Sequence, residues 1–391
     1  DSPTFIAKQI RDATPSPDGE RLAFTVLGRL YVMDYPGGLS VRIAEDLDAM
    51  QHHPTWSPDG DWIAFGAWRD ETQGHLYKVR SNGRSNSERL TTRAALYRTP
   101  QWSPDGSRIL SVRGSGRAYE EAIERGSIGE AQDLVSVSVD GGEATLITPM
   151  GRLSAPHFTR DPDRIYATSG GDGLISMRWD GTDRKGHVKV TGGTVPGAQQ
   201  PERASFILMA PTGDQALAQV VNDLYVVTVP VVGGDAPTIS VDDPENSSFP
   251  TRKLTDIGGE FPAWASSGRT IHWSIGNAHV VYDLDAAETF EDSVASAEQI
   301  ESGVGDAQSD TTLVGDQEDE DVATYRPLET RIEIQVDRDI PQGLAVLRGA
   351  RVITMRGDEV LENADILVRG NRIAAVGISG SVEIPIDADV L

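Results

Sequence analysis

One short turn sequence recurs along the first two thirds of the chain and constrains its fold more than any other feature. Residues 56–60 and 102–106 read Trp-Ser-Pro-Asp-Gly, and residues 16–19 read Ser-Pro-Asp-Gly. In such a turn proline presets φ, the aspartate side chain caps the turn, and glycine accepts a positive φ. An alternating apolar segment follows each copy, as in residues 61–65. The pattern therefore predicts a strand, a tight turn and a second strand in every repeat.

Weaker copies of the turn extend the repeat to residues 158–163, 210–214 and 264–268. Successive turns are then 41 to about 57 residues apart, and a third strand pattern follows, as at residues 29–33 and 75–79. A further turn and a fourth strand complete a unit whose length is that of a propeller blade. Because one blade cannot bury both of its faces, the repeat predicts an all-β chain with a six-bladed β-propeller.

The Trp-Ser-Pro-Asp-Gly repeat resembles that of the TolB-like (WD40-like) β-propeller. The resemblance implies a propeller domain over residues 1–340, in which residues 331–336 return to complete the last blade. Trp56, Trp102 and Trp264 recur at equivalent positions and are expected in the blade core. The fold supports binding, scaffolding and catalysis alike, so it does not by itself indicate a function.

The charge of the chain is strongly negative and partly local. There are 60 acidic and 35 basic side chains, and the segment between Arg269 and Arg326 holds fourteen acids and no Lys or Arg. We expect a solvated, disordered acidic loop at about 285–325. The overall balance disfavours a nucleic-acid partner, which requires clustered basic side chains. No apolar run is long enough to predict a membrane span.

Several kinds of active site are excluded by residue types and spacing. The chain has no cysteine, so disulfides, thiolate metal sites and cysteine nucleophiles cannot occur. Its seven histidines form neither His-x-His nor His-Glu-x-x-His, and no serine lies in Gly-x-Ser-x-Gly. We therefore predict no catalytic and no metal-binding residue within these 391 residues.

The last fifty residues carry a different pattern. Residues 349–354 read Gly-Ala-Arg-Val-Ile-Thr, residues 362–368 read Glu-Asn-Ala-Asp-Ile-Leu-Val, and residues 370–377 read Gly-Asn-Arg-Ile-Ala-Ala-Val-Gly. Alternating strands around a Gly-Asn turn indicate a hairpin. This stretch resembles the small β-sandwich that precedes the catalytic barrel of metal-dependent amidohydrolases. The resemblance implies a second domain at residues 341–391, the N-terminal part of that β-sandwich.

The two resemblances together imply the non-catalytic N-terminal portion of an amidohydrolase. Enzymes of that family hydrolyse amide, cyclic amide or peptide-like C–N bonds with one or two divalent ions, commonly zinc, bound in the barrel. The barrel's His-x-His pair is not in this sequence, so the metal is expected in a missing catalytic part and no cofactor in this chain. The implied partners are that C-terminal barrel, in the same gene product or a second chain, and a small-molecule or peptide-like substrate. A homo-oligomer is a further expectation.

Two other functions remain open at this point. The chain could be a stand-alone TolB-like periplasmic binding propeller that docks a protein through its channel. It could also be the propeller of a serine peptidase, whose catalytic domain would lie outside it. Since TolB-like propellers are often exported, we expect a periplasmic or secreted protein.

The candidate substrate-binding residues precede the innermost strands of blades two, three and four. They are His52, His53, Tyr97, Arg98 and His157. At this position the loops converge on one mouth of the central channel, so the side chains could contact substrate or the catalytic barrel. The alternative is that they cap strand ends or pack against a neighbouring blade. Residues 113–130 form a long insertion with a short helical pattern, expected as a surface helix or flap.

Overall fold

The computed structural model describes residues 2–125, 131–304 and 324–391. The chain forms two compact units, one made of Lys8–Glu333 and the other of Asp1–Ala7 together with Ile334–Leu391. Almost all regular structure in the described residues is β. The elements are β1 (Thr4–Ile6), β2 (Arg11–Pro15), β3 (Arg21–Val26), β4 (Arg29–Asp34), β5 (Val41–Arg42), β6 (Met50–Trp56), β7 (Trp62–Arg69), β8 (Gln73–Arg80), β9 (Glu88–Arg89), β10 (Leu96–Trp102), β11 (Arg108–Gly114), α1 (Gly116–Arg125), β12 (Asp133–Ser138), β13 (Thr145–Pro149), β14 (Leu153–His157), β15 (Arg164–Ser169), β16 (Gly173–Arg178), β17 (Lys185–Thr191), β18 (Phe206–Met209), β19 (Gln215–Val220), β20 (Asp223–Thr228), β21 (Thr238–Ser240), β22 (Thr251–Lys253), β23 (Glu260–Trp264), β24 (Thr270–Ile275), β25 (Ala278–Asp283), α2 (Leu284–Val304), β26 (Leu328–Arg331), β27 (Gln335–Asp337), β28 (Leu344–Ile353), β29 (Val360–Arg369), β30 (Arg372–Ile378) and β31 (Asp389–Val390).

The larger unit is built from propeller-like sheets whose strands follow one another along the chain. In its described residues there are six such sheets: sheet 1 (β2-β3-β4-β5), sheet 2 (β6-β7-β8-β9), sheet 3 (β10-β11-β12-β13), sheet 4 (β14-β15-β16-β17-β21), sheet 5 (β18-β19-β20-β22) and sheet 6 (β23-β24-β25-β26). Neighbouring strands are antiparallel, except that β21 pairs in parallel with β17 and so extends sheet 4. The predicted order of strand, turn, strand is confirmed.

The core of the larger unit lies between the sheets rather than within one of them. Each hydrophobic cluster draws buried side chains from two consecutive sheets, so that sheets 1 to 6 are joined pairwise along the chain. Trp56 and Trp102 are buried in these clusters as predicted, while Trp264 is half-buried. Each indole N–H also donates to a carbonyl of the preceding sheet, at Thr14 (3.1 Å), Thr55 (3.1 Å) and Leu208 (3.0 Å) respectively. Sheets 1 and 6 meet as well, since the backbone N–H of Ile10 donates to Gly276.

The repeated turn owes its shape to a small set of hydrogen bonds. In sheet 3 the Ser103 hydroxyl donates to the Asp105 carboxylate at 2.5 Å and accepts from the N–H of Arg108 at 3.0 Å. Gly106 takes a φ of +70°, which few other residues adopt. The hydrogen bond from Ser103, with a second from the N–H of Ser107, holds the pKa of Asp105 at about 2. The same Ser–Asp bond occurs in the turns of sheets 1 and 2.

The expectation of a disordered loop at about 285–325 is wrong for its first part, because α2 covers residues 284–304. Asp283 caps this helix by accepting from the N–H of Ala286 at 3.0 Å. Leu284 and Ala287, three residues apart, are buried against sheets 5 and 6. The prediction considered only the charges of this segment and therefore missed the apolar residues that pack the helix. Residues 305–323 of the predicted loop lie outside the described residues.

Two other predicted segments differ from the elements that the structure contains. The strand that returns to sheet 6 is β26, which ends at Arg331 and pairs with β25, whereas residues 335–337 pair with β1 in the smaller unit. The predicted insertion contains α1, and its residues 126–130 lie outside the described part of the chain.

The smaller unit carries the C-terminal strands in one sheet of order β30-β29-β28-β31. A two-residue turn joins β29 to β30, as the Gly-Asn pair predicts. The Asp365 carboxylate is fully buried and accepts hydrogen bonds from Ser379 Oγ and from the N–H groups of Gly349 and Gly380. Burial by itself would raise the pKa of Asp365, but these bonds hold it below the ordinary value. The predicted boundary between two domains at residues 340 and 341 remains a prediction.

Candidate functional site

The first strands of all six sheets line one cavity of about 330 Å³. We call it the shared cavity. Its wall contains both polar and apolar side chains and several proline rings. Its lining comes from residues 12–14, 53–55, 99–101, 155–158, 208, 209, 211 and 261–264. The sheets thus bring together residues that are up to 250 positions apart in sequence.

A strained residue marks the point where these strands meet the shared cavity. The pairing register of the first strand shifts in sheets 1, 2, 3, 4 and 6, which is the signature of a β-bulge. At each bulge one non-glycine residue has a left-handed φ: Asp12 (53°), His53 (50°), Thr99 (46°), Ala155 (48°) and Phe261 (53°). Such positions cost about 1–3 kcal/mol each and cluster at functional sites. Sheet 5 pairs without this shift.

His52 and His53 form a neutral imidazole pair at the bulge of sheet 2. Their Nδ1 atoms are 2.9 Å apart, so the Nδ1–H of one ring donates a hydrogen bond to the Nδ1 of the other. His53 lines the shared cavity with one third of its side chain exposed (33%), and its Nε2 lies 3.9 Å from Asp12 Oδ1. The other carboxylate oxygen, Oδ2, accepts from the backbone N–H of His53 at 3.0 Å. Asp12 therefore joins sheet 1 to sheet 2 at this point.

Burial is the main reason that these imidazoles are neutral. Burial first, and then the charges of His53 and Arg98, lower the pKa of His52 to about 3. Burial also lowers the pKa of His53, with Asp12 opposing and Arg98 and Arg11 adding to the effect. At neutral pH the pair can donate and accept hydrogen bonds but carries no charge.

His157 and Tyr97 are tied into the framework instead. His157 lines the shared cavity, yet its Nδ1–H donates to Ala155 at 2.8 Å and its Nε2 accepts from the N–H of Met209 at 2.8 Å. Burial lowers the pKa of His157 to about 4. Tyr97 is 1% exposed and donates from its hydroxyl to the carbonyl of Arg93. Of the five predicted residues, only His53 and His157 border the shared cavity, and substrate contact by any of them stays a prediction.

Sequence reasoning missed Asp12, Thr99 and Phe261, which reach the same cavity from other sheets. A signal for Thr99 and Phe261 was present, because proline occurs two residues before each repeat tryptophan in sheets 2, 3 and 6; Asp12 is followed by alanine and carries no such signal. Pro54 and Pro100 directly follow the strained residues His53 and Thr99. A proline two residues before the repeat tryptophan therefore indicates that the residue preceding this proline lies at a bulge.

The remaining histidines have structural partners. His75 is bonded to Thr91, His187 to Ser176, and the buried His272 to His279. Within residues 2–125, 131–304 and 324–391, no group of three or more His, Asp or Glu side chains is arranged to hold a metal ion. In the same residues no helix is long and apolar enough to cross a membrane.

Comparison with known proteins agrees with this architecture. The family model of the TolB beta propeller domain matches residues 12–152. The uncharacterized protein Atu1656 of Agrobacterium fabrum is 27% identical over 160 residues, which are 38% of this chain and 51% of that protein. Tricorn protease homolog 1 of Streptomyces coelicolor is 30% identical over 148 residues, 37% of this chain and 13% of the relative. An oligogalacturonate lyase solved in complex with manganese aligns with a TM-score of 0.47 and 14% identity, over 72% of this chain and 76% of the lyase.

The matches to curated relatives span about half the length of the first and a small part of the second. The family match itself covers sheets 1 to 3, with their three strongest copies of the turn. Residues 12–152 thus carry a TolB-type β-propeller domain.

Proposed function

We propose that this chain is the N-terminal, non-catalytic portion of a metal-dependent amidohydrolase that cleaves amide, cyclic amide or peptide-like C–N bonds. In this proposal the six sheets are six blades around the shared cavity, and the propeller aids substrate access and assembly. Zinc or another divalent ion belongs to a catalytic barrel, in the same gene product or a second chain. The described residues offer no ligand cluster for it, so the proposal assigns no metal ligand here.

An uncovered apolar sheet face in the smaller unit carries the proposal. Leu347, Ile366 and Val376 are register partners on β28, β29 and β30, so their side chains lie on the same face. Ile373 and Ile378 of β30 add to the row and are 68% and 59% exposed. A solvated sheet face is normally polar, and burying one such side chain is worth about 1.5–3 kcal/mol. This row is the inner face of a sandwich whose second sheet is supplied by other residues.

Three of the five residues that form this face, Ile366, Ile373 and Val376, belong to the segments that resemble the amidohydrolase β-sandwich. β28 contains residues 349–353 of the resemblance, β29 contains residues 362–368, and β30 contains residues 372–377. Motif and uncovered face therefore support the same interpretation independently, one by residue type and one by exposure.

The test compares one substitution in two forms of the protein. Ile373→Asp has little effect on the melting temperature of the 391-residue chain, where the side chain is exposed. In the native gene product, the same change lowers the melting temperature, bound zinc and amide hydrolysis. Val231→Asp is the matched control, because Val231 is fully exposed in a loop of the larger unit. The proposal fails if the native product is this 42 kDa polypeptide alone, or if Ile373→Asp behaves like the control in it.

A second candidate is the propeller of a peptidase, which the 30% identity to a tricorn protease homolog favours. It predicts peptide hydrolysis by the native product that a serine-directed inhibitor abolishes and a chelator leaves intact. A stand-alone periplasmic or secreted binding propeller would instead show neither activity.

A further inference from the structure

A second cavity, of about 340 Å³, lies beside β17 in sheet 4, and we call it the β17 notch. One edge of β17 pairs with β21. Along the other edge β16 pairs with the beginning of β17, and residues 203–204 pair with its end, through the bridge between Thr191 and Arg203 and the bond from the Ala204 N–H to Val190. The turn between β15 and β16 therefore meets residues 203–204 along one strand, and both segments line the notch.

Two basic side chains converge on this turn from different segments. Arg203 Nη1 donates to the carbonyl of Gly170 at 3.1 Å, and its Nη2 donates to Gln200 Oε1 at 3.3 Å. A Cβ on Gly173 would lie 3.0 Å from Cγ of Lys189, so the stem of Lys189 passes directly over this glycine. Gly170 and Gly173 belong to the same turn. All five residues line the notch, so both cations belong to its wall.

The charge of the β17 notch is unusual for this protein. The chain has 25 more acidic than basic side chains, yet the described residues that line the notch include neither Asp nor Glu. Asp172 of the same turn accepts a hydrogen bond from Ser169 Oγ at 3.0 Å. Within the described part of the chain, neither Lys189 nor Arg203 has a carboxylate at ion-pair distance. The notch thus holds two positive charges without a counter-ion.

A hydroxyl group lies between the two cations. Thr191 follows Lys189 by two positions on β17, and it is the antiparallel bridge partner of Arg203. Because side chains two positions apart, and those of paired residues, point to the same face of a sheet, all three side chains share one face. Among the described residues, neither the Lys189 ammonium nor the Thr191 hydroxyl has a hydrogen-bond partner. The notch therefore presents free donors beside a guanidinium group.

We propose that the β17 notch binds the phosphate group of a small phosphate monoester through Lys189, Arg203 and Thr191. Such a group carries nearly two negative charges at neutral pH and three acceptor oxygens, which match two cations and a hydroxyl donor. A carboxylate offers one charge and two oxygens, and it would leave part of this set unsatisfied. The volume of about 340 Å³ suits a small molecule rather than a folded partner.

This inference goes beyond the amidohydrolase proposal and does not depend on it. Every residue it uses lies in the larger unit, whereas the amidohydrolase proposal is carried by the smaller one.

The experiment uses three probes that share one sugar ring and differ at C6. They are glucose 6-phosphate, glucuronate and glucose, each titrated into the intact protein at pH 7.5 and followed by NMR or calorimetry. We expect glucose 6-phosphate to bind about tenfold or more tightly than either of the others, because charge-assisted hydrogen bonds are the strong ones. None of the probes contains a bond that an amidohydrolase cleaves.

Variants then assign the binding to the notch. Lys189→Gln and Arg203→Gln should each weaken glucose 6-phosphate binding by about tenfold, and Thr191→Val by about threefold. Arg84→Gln is the control, since it removes one positive charge from an exposed turn of sheet 2 and should leave the affinity unchanged.

Equal affinity for glucose 6-phosphate and glucuronate, no binding of glucose 6-phosphate, or an equal loss in Arg84→Gln overturns the proposal. Arg203 is exposed, so Arg203→Gln still tests the proposal even if Lys189→Gln disturbs the fold. The two proposals also fail separately. Absence of amide hydrolysis leaves this inference intact, and absence of phosphate binding leaves the amidohydrolase assignment intact.

Discussion

His157 offers a sharp test, because its two hydrogen bonds require a neutral ring. Its Nδ1 donates to the Ala155 carbonyl and its Nε2 accepts from the Met209 N–H, both at 2.8 Å. A second proton on Nε2 would point at the Met209 N–H and abolish that bond. Burial accordingly lowers the pKa of His157 from 6.5 in the unfolded chain to about 4 in the folded protein.

Because the pKa of His157 is lower in the folded protein than in the unfolded chain, the protein loses stability as the pH falls. Between pH 6.5 and about 4 the unfolded chain binds the extra proton and the folded protein does not. The stability that His157 contributes is therefore complete above pH 6.5, and it declines as the pH falls, by about 1.4 kcal/mol per pH unit. At pH 5 the loss from this residue is about 2 kcal/mol, and it levels off below pH 4 at about 3 kcal/mol.

The perturbation is His157→Phe, which keeps an aromatic ring but leaves the Met209 N–H and the Ala155 carbonyl without partners. At pH 7.5 we expect a free energy of unfolding lower by about 2–4 kcal/mol. Urea unfolding is then repeated at pH 5. The difference in free energy of unfolding between wild type and variant should decrease by about 2 kcal/mol, because only the wild type still has a His157 to protonate. The other histidines titrate in both proteins and cancel in the difference.

Thr168→Val is the matched control at the same boundary between sheets 4 and 5. Thr168 is buried and both accepts from and donates to Ile207 across that boundary, yet it does not titrate. The difference in free energy of unfolding between Thr168→Val and the wild type should be equal at both pH values. If the difference in free energy of unfolding between His157→Phe and the wild type is also the same at both pH values, the assigned tautomer and the neutral state of the ring are refuted.

Three further changes test the framework around the shared cavity. Trp102→Phe removes the indole N–H that bonds to the Thr55 carbonyl, and it should cost about 1–2 kcal/mol in urea unfolding at pH 7.5. Asp105→Ala removes the acceptor that organises the turn of sheet 3, and a loss of about 1 kcal/mol is expected; an unchanged unfolding midpoint would contradict this role. A Cβ on Gly66 would lie 2.2 Å from Cε1 of His52, so Gly66→Ala should displace that imidazole, visible as shifted histidine NMR signals, and destabilise the protein by about 1–3 kcal/mol.

The repeat predicted the sheets of the larger unit well because its information is local. Proline, aspartate and glycine at fixed offsets determine a turn whatever surrounds it, and the Ser103–Asp105 bond is made within three residues. The acidic segment was predicted poorly for the opposite reason. Its charge suggested a loop, whereas the helix α2 depends on packing Leu284 and Ala287 against distant strands.

The candidate site could be predicted only in part. The sequence predicted His53 and His157 just before the innermost strands, whereas they lie within β6 and β14. Their roles also differ, since one ring is partly exposed and the other is bonded on both sides. Tyr97 occupies the position before Arg98 but points into the core. Alternation along a strand, interrupted by a bulge, decides which neighbour faces the shared cavity.

The turns, the order of the strands and the hairpin between β29 and β30 could be predicted from the sequence, because each depends on backbone preferences of adjacent residues. Only the folded arrangement of the sheets brings Asp12, His53 and Thr99 to one cavity and makes the rings of His52 and His157 neutral. Those properties depend on burial and on distances between strands far apart in the chain. Desolvation and unpaired charge exist only once the sheets have packed together.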